Sequence, residues 1–380
     1  MDVRLFRPYL DEDDLKSIKK AFDINWLGNG SFVKEFEEMW SKKFKVKYCL
    51  GLNSATAALH LALAAFKFPK GKKVLIPSLT FSSTAIAVKY NDLEVVFVDV
   101  EKRNLTIDCN DLLNKIDEDC VAIIPVHYGG SPCEMDVIME IAKKNNLKVI
   151  EDCAHTQGGI YKDKYLGTWG DIGCFSFEEK KGMTTGDGGM ICFNDEKIYN
   201  YLKPMRWVGI DKDTWRRVES KSNLKDSSFH WFYEIREIGY KYNMNNMSAC
   251  LGISQFQKLD KINKSKNVAI KLYLKKLKNL SEIQFLMDYN YNWSGSYWLF
   301  GLRVKNRSKL INYLTKNGIS TGVHFTPLNK QPYFENCDGK TKASSVVYKE
   351  ILTLPLFPMI TPKEVNYVCD KIIQFYKHED

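Results

Sequence analysis

The sequence lacks the features that mark several large classes of protein. In its 380 residues no apolar run reaches the roughly 18 residues of a membrane span, and the longest, at 57–66, is interrupted by His60. Its 23 glycines and 11 prolines are too few for a collagen-like or low-complexity chain. The first residues, MDVRLFRPYLDEDD, contain no apolar signal region, so we expect a cytoplasmic protein without a membrane partner.

Cysteine spacing and charge exclude further classes. The ten cysteines are spread from Cys49 to Cys369 without a CxxC pair, so we expect neither a zinc or other metal site nor a disulfide framework. Lysine and arginine outnumber aspartate and glutamate by 55 to 46, but no long basic block or RNA-binding signature occurs. Nucleic acid is therefore not an expected partner. The excess charge indicates either a solvated, Lys-rich surface or attraction to anionic ligands.

Between about residues 72 and 194, short apolar runs alternate with helical patterns. The runs are rich in Val, Ile and Phe, as expected of strands buried on both faces. They lie at residues 73–77, 94–100, 120–126, 148–151, 171–177 and 189–193. The helices predicted around them lie at residues 54–66, 82–90, 110–115 and 134–145. This alternation predicts an α/β fold with a mostly parallel sheet covered by helices.

The rest of the chain predicts a second, smaller unit. A long helix is expected at 246–274, a strand at 297–304, and helices at 310–317 and 362–376. A chain of 380 residues has roughly two and a half times the length of a typical domain. We therefore predict a large domain at residues 1–245 and a C-terminal domain at residues 246–380.

The first segment with candidate functional residues is Asn53-Ser54-Ala55-Thr56, a polar cluster that opens an Ala-rich helix. The free backbone N–H groups and the dipole of a helix N-terminus favour a phosphate. An ordinary helix cap needs only one Ser or Thr, so this segment leaves both interpretations open.

Two further segments contain titratable groups. In VIEDCAHTQGG a predicted strand ends at Glu151 and Asp152, followed by His155. Ligands of open α/β sheets bind at such strand ends, although a capping Asp and a structural His are the alternatives. In GDIGCFSFEEKKGMTTGDGGMI a strand leads to Lys180 and Lys181 in a polar turn. A lysine with a lowered pKa can form a Schiff base, whereas a solvated pair in a hairpin needs no such role.

Together these segments resemble the DegT/DnrJ/StrS family of pyridoxal-phosphate sugar aminotransferases, which have the aspartate aminotransferase fold (fold type I). The matching blocks are, in order, LNSATAALHLAL, PSLTFSSTA, IIPVHYGG, EDCAH, GDIGCFSF, TTGDGGM, GYKYNMNNMSACLGISQFQKLD, TGVHF and LPLFP. They cover nearly the whole chain. The resemblance implies a large domain with a mostly parallel seven-stranded sheet and a smaller C-terminal α/β domain.

The resemblance also implies roles for single residues. The family's Schiff-base lysine lies five residues after the Ser of FSF, which is Ser176 here, so Lys181 is expected rather than Lys180. Asp152 matches the acid that pairs with the pyridine nitrogen of the cofactor. His155 matches the residue that hydrogen-bonds the ring hydroxyl, and Phe81 matches the aromatic residue that stacks on the ring.

The expected phosphate site combines the cluster Asn53, Ser54, Ala55 and Thr56 with Ser176. In addition, Asn243 matches an asparagine that reaches the phosphate from the other subunit. The resemblance therefore implies a homodimer with shared active sites. The EEKKG stretch departs from the family, where an aromatic or Pro-containing segment is usual, and this leaves the substrate side of the loop open.

The implied reaction has two halves. L-Glutamate aminates pyridoxal 5'-phosphate, and the pyridoxamine form then aminates a keto-sugar carried on a nucleoside diphosphate, for aminosugar or surface polysaccharide biosynthesis such as that of lipopolysaccharide O-antigen. The TTGDGG block resembles members that act on 4-keto-6-deoxy sugars. Lys212 and Arg217, in the polar stretch 211–229, are candidates for diphosphate contact, although acidic neighbours make a solvated loop an equal alternative. His324 is a candidate for sugar contact or for a structural role.

Other functions remain as alternatives. A sugar 3-dehydratase of the same family has His in place of the Schiff-base lysine, so Lys181 argues against it. An aminotransferase for 3-keto sugars more often has a GALGD-like turn. A non-catalytic regulator with this fold, or a scaffold without ligand, would not need Asp152, His155, Ser176 and Lys181 together.

Overall fold

The computed structural model describes residues 1–210, 233–235, 237–286 and 295–377. The predicted substrate contacts Lys212 and Arg217 lie outside these residues. No helix in the described ranges combines the length and the apolar character needed to cross a bilayer.

A seven-stranded sheet forms the centre of the larger part of the chain. Its strands are β1 (Tyr48–Leu52), β2 (Lys73–Pro77), β3 (Glu94–Val98), β4 (Cys120–Ile123), β5 (Lys148–Asp152), β8 (Ile172–Ser176) and β9 (Gly189–Phe193). They lie in the order β1-β9-β8-β5-β4-β2-β3. From β8 to β3 every pair is parallel, whereas β9 runs antiparallel to both neighbours. The prediction of a mostly parallel sheet is confirmed. A short hairpin, β6 (Ile160–Tyr161) and β7 (Lys164–Tyr165), stands apart from it.

Helices cover both faces of this sheet. The helices of this part of the chain are α1 (Glu12–Asp23), α2 (Ser31–Phe44), α3 (Ala55–Ala64), α4 (Ser82–Tyr90), α5 (Cys109–Lys115), α6 (Met135–Lys144) and α7 (Glu196–Met205), and α2 to α7 pack on the sheet. Successive side chains of a strand point to opposite faces. Accordingly, Val74 and Ile76 pack in one apolar layer with α3 and α4, while Leu75 packs in another with α5 and α6. This double burial explains why the strands are almost continuously apolar.

The C-terminal part contains a three-stranded antiparallel sheet of β10 (Ile283–Phe285), β11 (Phe300–Val304) and β12 (Ile351–Leu354). Around it lie α8 (Asn246–Leu277), α9 (Arg307–Lys316), α10 (Lys342–Val347) and α11 (Pro362–Lys377). The long helix α8 contacts α1 and α2 as well as α11, so it joins the two parts. The boundary between residues 245 and 246 therefore stays a prediction.

The N-terminal segment completes the C-terminal core. Val3 is fully buried among residues of the second part and forms a parallel bridge with Ile319. The chain thus begins beside the C-terminal sheet and crosses to the larger sheet through α1 and α2. Residues near the N-terminus are consequently close to elements that lie about 300 positions later in the chain.

Candidate active site

A cavity of about 410 Å³ opens at the carboxyl ends of β2, β5 and β8. This is the edge at which ligands bind in open α/β sheets. One group of lining residues, here called the sheet side, consists of Ser54, Ala55, Thr56, Phe81, Asp152, His155, Ser176 and Lys181. A second group, the aromatic side, consists of Phe6, Trp298, His324 and Phe325. The structure therefore brings together most of the residues that the sequence analysis singled out.

Asp152 is the last residue of β5 and is only 4% exposed. Its Oδ2 accepts a hydrogen bond from the Thr84 hydroxyl at 2.8 Å, and its Oδ1 accepts one from the Ala154 N–H at 3.1 Å. Burial raises the pKa of the carboxyl group, while these hydrogen bonds and the nearby Lys181 oppose the increase. A buried carboxylate of this kind gains stability from a further positive partner in the cavity.

Behind Asp152, two threonines form a chain of hydroxyl groups. The Thr84 hydroxyl lies 2.9 Å from that of Thr80, and both side chains are buried. Since a hydroxyl has one proton and Thr84 donates it to Asp152, Thr80 is the donor to Thr84. Each hydroxyl therefore orients the next group, and the last oriented group is the carboxylate.

His155 is buried, and its Nδ1 accepts a hydrogen bond from the Gly129 N–H at 3.3 Å. The neutral ring then has its proton on Nε2. Burial, followed by the charge of Lys181, lowers the pKa of His155 well below its usual value. His155 is thus a neutral hydrogen-bond donor at the cavity rather than a cation.

Lys180 and Lys181 both line the cavity, but their amines differ. The Lys180 side chain is 59% exposed, with Nζ 3.8 Å from Oε1 of Glu178. By contrast, the Nζ of Lys181 lies 3.8 Å from the ring centroid of Trp298. Burial lowers the pKa of Lys181 to about 8, against the opposing effect of Glu178 and Asp152. Lys181 is therefore the amine with enhanced nucleophilic character.

The loop that carries Lys181 is held by Gln157, which sequence reasoning did not single out. The Oε1 of this buried side chain accepts the Met183 N–H at 2.8 Å. Its Nε2 donates to the carbonyl of Ser176 at the end of β8. Both ends of the turn are thereby fixed to one amide group.

Helix α3 begins at the cavity. Ser54 is its N-cap, and the Ser54 hydroxyl accepts the Ala57 N–H at 3.1 Å. The Thr56 hydroxyl lies 2.7 Å from that of Ser83. A Cβ at Gly189 would lie 2.4 Å from the Ser54 carbonyl oxygen, so glycine is needed where β9 passes the helix. The N–H groups of this first turn face an edge suited to an anion.

Phe81 and His324 also lie at the cavity. Phe81 is 55% exposed, and its ring centroid is 5.8 Å from that of Phe325. His324 Nδ1 lies 2.8 Å from the Thr353 hydroxyl, and burial lowers the pKa of His324 to about 4. Phe81 therefore lies against the aromatic side, to which His324 belongs as a neutral ring.

Asn53 and Asn243 do not line the cavity in this single chain. Asn53 Nδ2 donates to the carbonyl of Lys241 at 3.3 Å, and Asn243 Oδ1 accepts from Lys241 Nζ at 3.1 Å. Asn243 also forms an antiparallel bridge with Leu52 at the end of β1. The two asparagines thus lie beside the same lysine, and the predicted contact of Asn243 with a second subunit stays a prediction.

One buried cluster, His127, Glu151 and Cys153, has the residue types of a metal site. Its carboxylate, however, already accepts N–H bonds from Gly167, Trp169 and Gly170 at 2.6 to 2.8 Å. The His127 Nε2 lies 3.1 Å from Glu151 as well. These contacts satisfy Glu151 as a structural acid that shapes the 167–170 turn.

Within the aromatic side, sequence reasoning singled out His324 but missed Phe6, Trp298 and Phe325. Trp298 lies in an apolar segment that is typical of a core strand, and Phe6 lies near the chain start. Neither is next to a polar motif. The available signal was the match of TGVHF, which includes His324 and Phe325.

The whole chain is similar to proteins of one known family. The model of the DegT/DnrJ/EryC1/StrS aminotransferase family matches residues 8–373. GDP-perosamine synthase of Escherichia coli O157:H7 is 30% identical, covering 98% of each chain. The spore coat polysaccharide biosynthesis protein SpsC of Bacillus subtilis is 31% identical, covering 98% of this chain and 97% of the relative.

Among solved structures, the chain is similar to the putative sugar aminotransferase Spr1654 from Streptococcus pneumoniae in its PLP form. The TM-score is 0.90 at 23% identity, covering 100% of this chain and 99% of the other. This likeness establishes a common fold.

Proposed function

The chain belongs to the DegT/DnrJ/EryC1/StrS aminotransferase family, and we propose that it transfers the amino group of L-glutamate to a nucleotide-linked keto-sugar with pyridoxal 5'-phosphate as cofactor. The single observation that carries this proposal is the convergence of Lys181, Asp152 and His155 on one cavity beside the start of α3. The named relatives support the sugar class, since one is a GDP-perosamine synthase. The preferred substrate is a nucleoside diphosphate 4-keto-6-deoxyhexose.

The residues present fit this cofactor. A phosphate needs N–H donors, which the first turn of α3 supplies together with the hydroxyls of Thr56 and Ser176. A pyridine nitrogen needs an acid, which is Asp152, and a phenolic oxygen needs a neutral donor, which is Nε2 of His155. Pyridoxal phosphate supplies an electron sink for the substrate carbon that loses its proton.

Asp152 holds the proton of the ring nitrogen in this proposal. Its burial limits screening by water, so the carboxylate acts strongly on a cation beside it. Burial raises the pKa of the Asp152 carboxyl group. A cation bound beside the carboxylate would lower this pKa again, because it stabilises the charged form. Thr84 keeps Oδ2 oriented, while Oδ1 is held by the Ala154 N–H.

Lys181 binds the cofactor and moves the proton. An amine with a pKa of about 8 is partly neutral near physiological pH, as both a nucleophile and a base must be. In the proposal Lys181 Nζ moves a proton between the substrate carbon and the cofactor within each half-reaction, away from the glutamate carbon in the first and onto the sugar carbon in the second. Phe81 restrains the ring by stacking and adds no charge.

The proposal extends to the assembly and to the substrate. We place the enzyme in the cytoplasm as a homodimer in which Asn243 reaches the phosphate of the partner's site. Among the described residues, His324 faces the cavity where the sugar would enter. Surface polysaccharide or aminosugar biosynthesis is the proposed setting, in line with the relative SpsC. A sugar 3-dehydratase fits less well, because Lys181 stands where those enzymes have His.

A substrate panel tests the proposal. Purified protein is incubated with pyridoxal phosphate, L-glutamate and a set of nucleotide-linked 4-keto and 3-keto sugars, and the products are analysed by mass spectrometry. We expect 2-oxoglutarate and an aminosugar nucleotide in equal amounts from a 4-keto substrate. Deoxygenated sugar without amine would support the dehydratase instead, and amination of the 3-keto sugars alone would overturn the preferred regiochemistry.

A further inference from the structure

Resting on the proposed function, we propose that Trp298 is a positioning residue whose indole holds the amine of Lys181 and the imidazole of His155 in place. The Lys181 Nζ lies 3.8 Å from the centroid of the Trp298 ring. The His155 ring stacks on Trp298 with 4.1 Å between centroids and 13° between planes. One side chain from the C-terminal part therefore touches two of the groups assigned to the chemistry.

Trp298 is itself fixed on several sides. Its Nε1 donates to the carbonyl of Lys180 at 2.9 Å, next to the lysine it contacts. Its backbone N–H donates to the carbonyl of Gly129, also at 2.9 Å. Phe6 stacks on it at 5.3 Å and 3°, and only 6% of the residue is exposed. The indole thus has little freedom to turn.

Gly129 links these contacts into one unit. Its carbonyl accepts from Trp298, and its N–H donates to Nδ1 of His155. Gly129 has a φ of +61°, a left-handed conformation that favours glycine. The indole and this glycine therefore orient the same imidazole, one through its face and the other through its ring nitrogen.

An indole face attracts an ammonium group, because the π-system presents negative charge there. Other charged groups also act on Lys181. Asp152 and Glu178 favour its charged form, while burial and the charge of Lys180 disfavour it. The rings of His155 and His324 face the same space and are neutral. The Trp298 face adds an attraction for the Lys181 ammonium group that needs no carboxylate. This attraction keeps the Lys181 amine beside His155 whenever the amine is not bonded to the cofactor.

The alternative is that Trp298 only packs the core. In that case its replacement would lower stability but would leave the ionisation of Lys181 as it is. Two apolar replacements of Trp298, by Phe and by Leu, separate these cases. Phe keeps an aromatic face and loses the hydrogen bond to Lys180, whereas Leu keeps the site apolar and loses the face.

The test uses protein freed of cofactor, treated with formaldehyde and cyanoborohydride over a range of pH. Only neutral amines are methylated, and peptide mass spectrometry follows Lys181 with the exposed Lys180 as internal standard. In the unaltered protein we expect a midpoint of about 8 for Lys181. In W298L it should fall by about 0.5 to 1 pH unit, and in W298F it should move clearly less.

Equal midpoints in W298L and W298F would overturn the inference, as would an unshifted midpoint in W298L. Thermal unfolding by circular dichroism establishes that each variant is folded, and W298M replaces W298L if Leu is not tolerated. No sugar and no cofactor enters the assay. A failure of the proposed function therefore leaves the methylation result standing, and an active aminotransferase with unchanged midpoints would contradict this inference alone.

Discussion

The sheet side and the aromatic side of the cavity differ in how their residues are placed. On the sheet side, Asp152 and Ser176 end neighbouring strands, and Lys181 follows five residues after Ser176. On the aromatic side, Phe6 and Trp298 are separated by nearly 300 positions and meet only in the fold. The groups assigned to the chemistry are thus placed by local strand ends, whereas the rings of the aromatic side come from distant segments. Substitutions on the two sides should therefore have different signatures.

The largest effect is expected from Lys181→Ala on the sheet side. In the proposed mechanism this substitution removes both the cofactor bond and the proton carrier, so transamination should fall by about 10²- to 10⁴-fold or more. Steady-state 2-oxoglutarate production measures this, with circular dichroism as the folding check. Lys180→Ala is the matched control and should lose little, because its amine is exposed. Comparable losses in both variants would contradict the assignment.

Removal of the hydroxyl behind Asp152 should have the next largest effect. Thr84→Val leaves one carboxylate oxygen without its buried donor, so we expect about a 10- to 100-fold loss in kcat/KM. Cofactor affinity should weaken too. Thr84→Ser retains the hydroxyl and should restore most of the activity. If Ser and Val variants behave alike, the hydroxyl chain from Thr80 does not orient the acid.

The pH dependence of cofactor loading tests the lowered pKa of Lys181. The neutral amine attacks the aldehyde, and with a pKa of about 8 its fraction rises about tenfold between pH 7 and pH 9. When pyridoxal phosphate is added to protein freed of cofactor, the absorbance of the bound cofactor returns. The rate of this return should rise with pH and level off above about pH 8. A rate that still climbs tenfold per unit beyond pH 9 would indicate an ordinary lysine.

The smallest effect is expected from Asn243→Ala. One hydrogen bond to the phosphate would be lost, so the cofactor should dissociate about three- to tenfold more readily. Equilibrium dialysis measures this retention. The proposal places Asn243 in the partner's site, so activity per chain should fall as the protein is diluted and the dimers separate. Sedimentation at the same concentrations measures the fraction of dimer. A fully active monomer would contradict the shared site.

The elements that the sequence predicts best are those with a clear apolar pattern. The strands at 73–77 and 189–193 and the helix at 82–90 have the predicted bounds, because apolar runs are bounded there by turn residues. The long helix predicted at 246–274 extends to Leu277. The strand predicted from residue 297 starts at Phe300, because residues 297–299 approach Gly129 instead of a neighbouring strand.

Other elements were not predicted, among them α1, α2 and β1. Helix α1 has the sequence EDDLKSIKKAFD, whose charges obscure its one apolar stripe, and its start depends on a capping box at Asp11. The site is likewise divided between residues that a local motif predicts and contacts that only the fold creates. Asp152, His155 and Lys181 follow from motifs, while the contact of Trp298 with Lys181 and the donation from Thr84 to Asp152 require the tertiary structure.

Reductive trapping tests the central claim most directly. The purified protein with pyridoxal phosphate is reduced by borohydride, digested, and analysed by peptide mass spectrometry. The account predicts one phosphopyridoxyl group per chain, on Lys181. A label on Lys180, or no label in a folded protein that has been supplied with the cofactor, would contradict it.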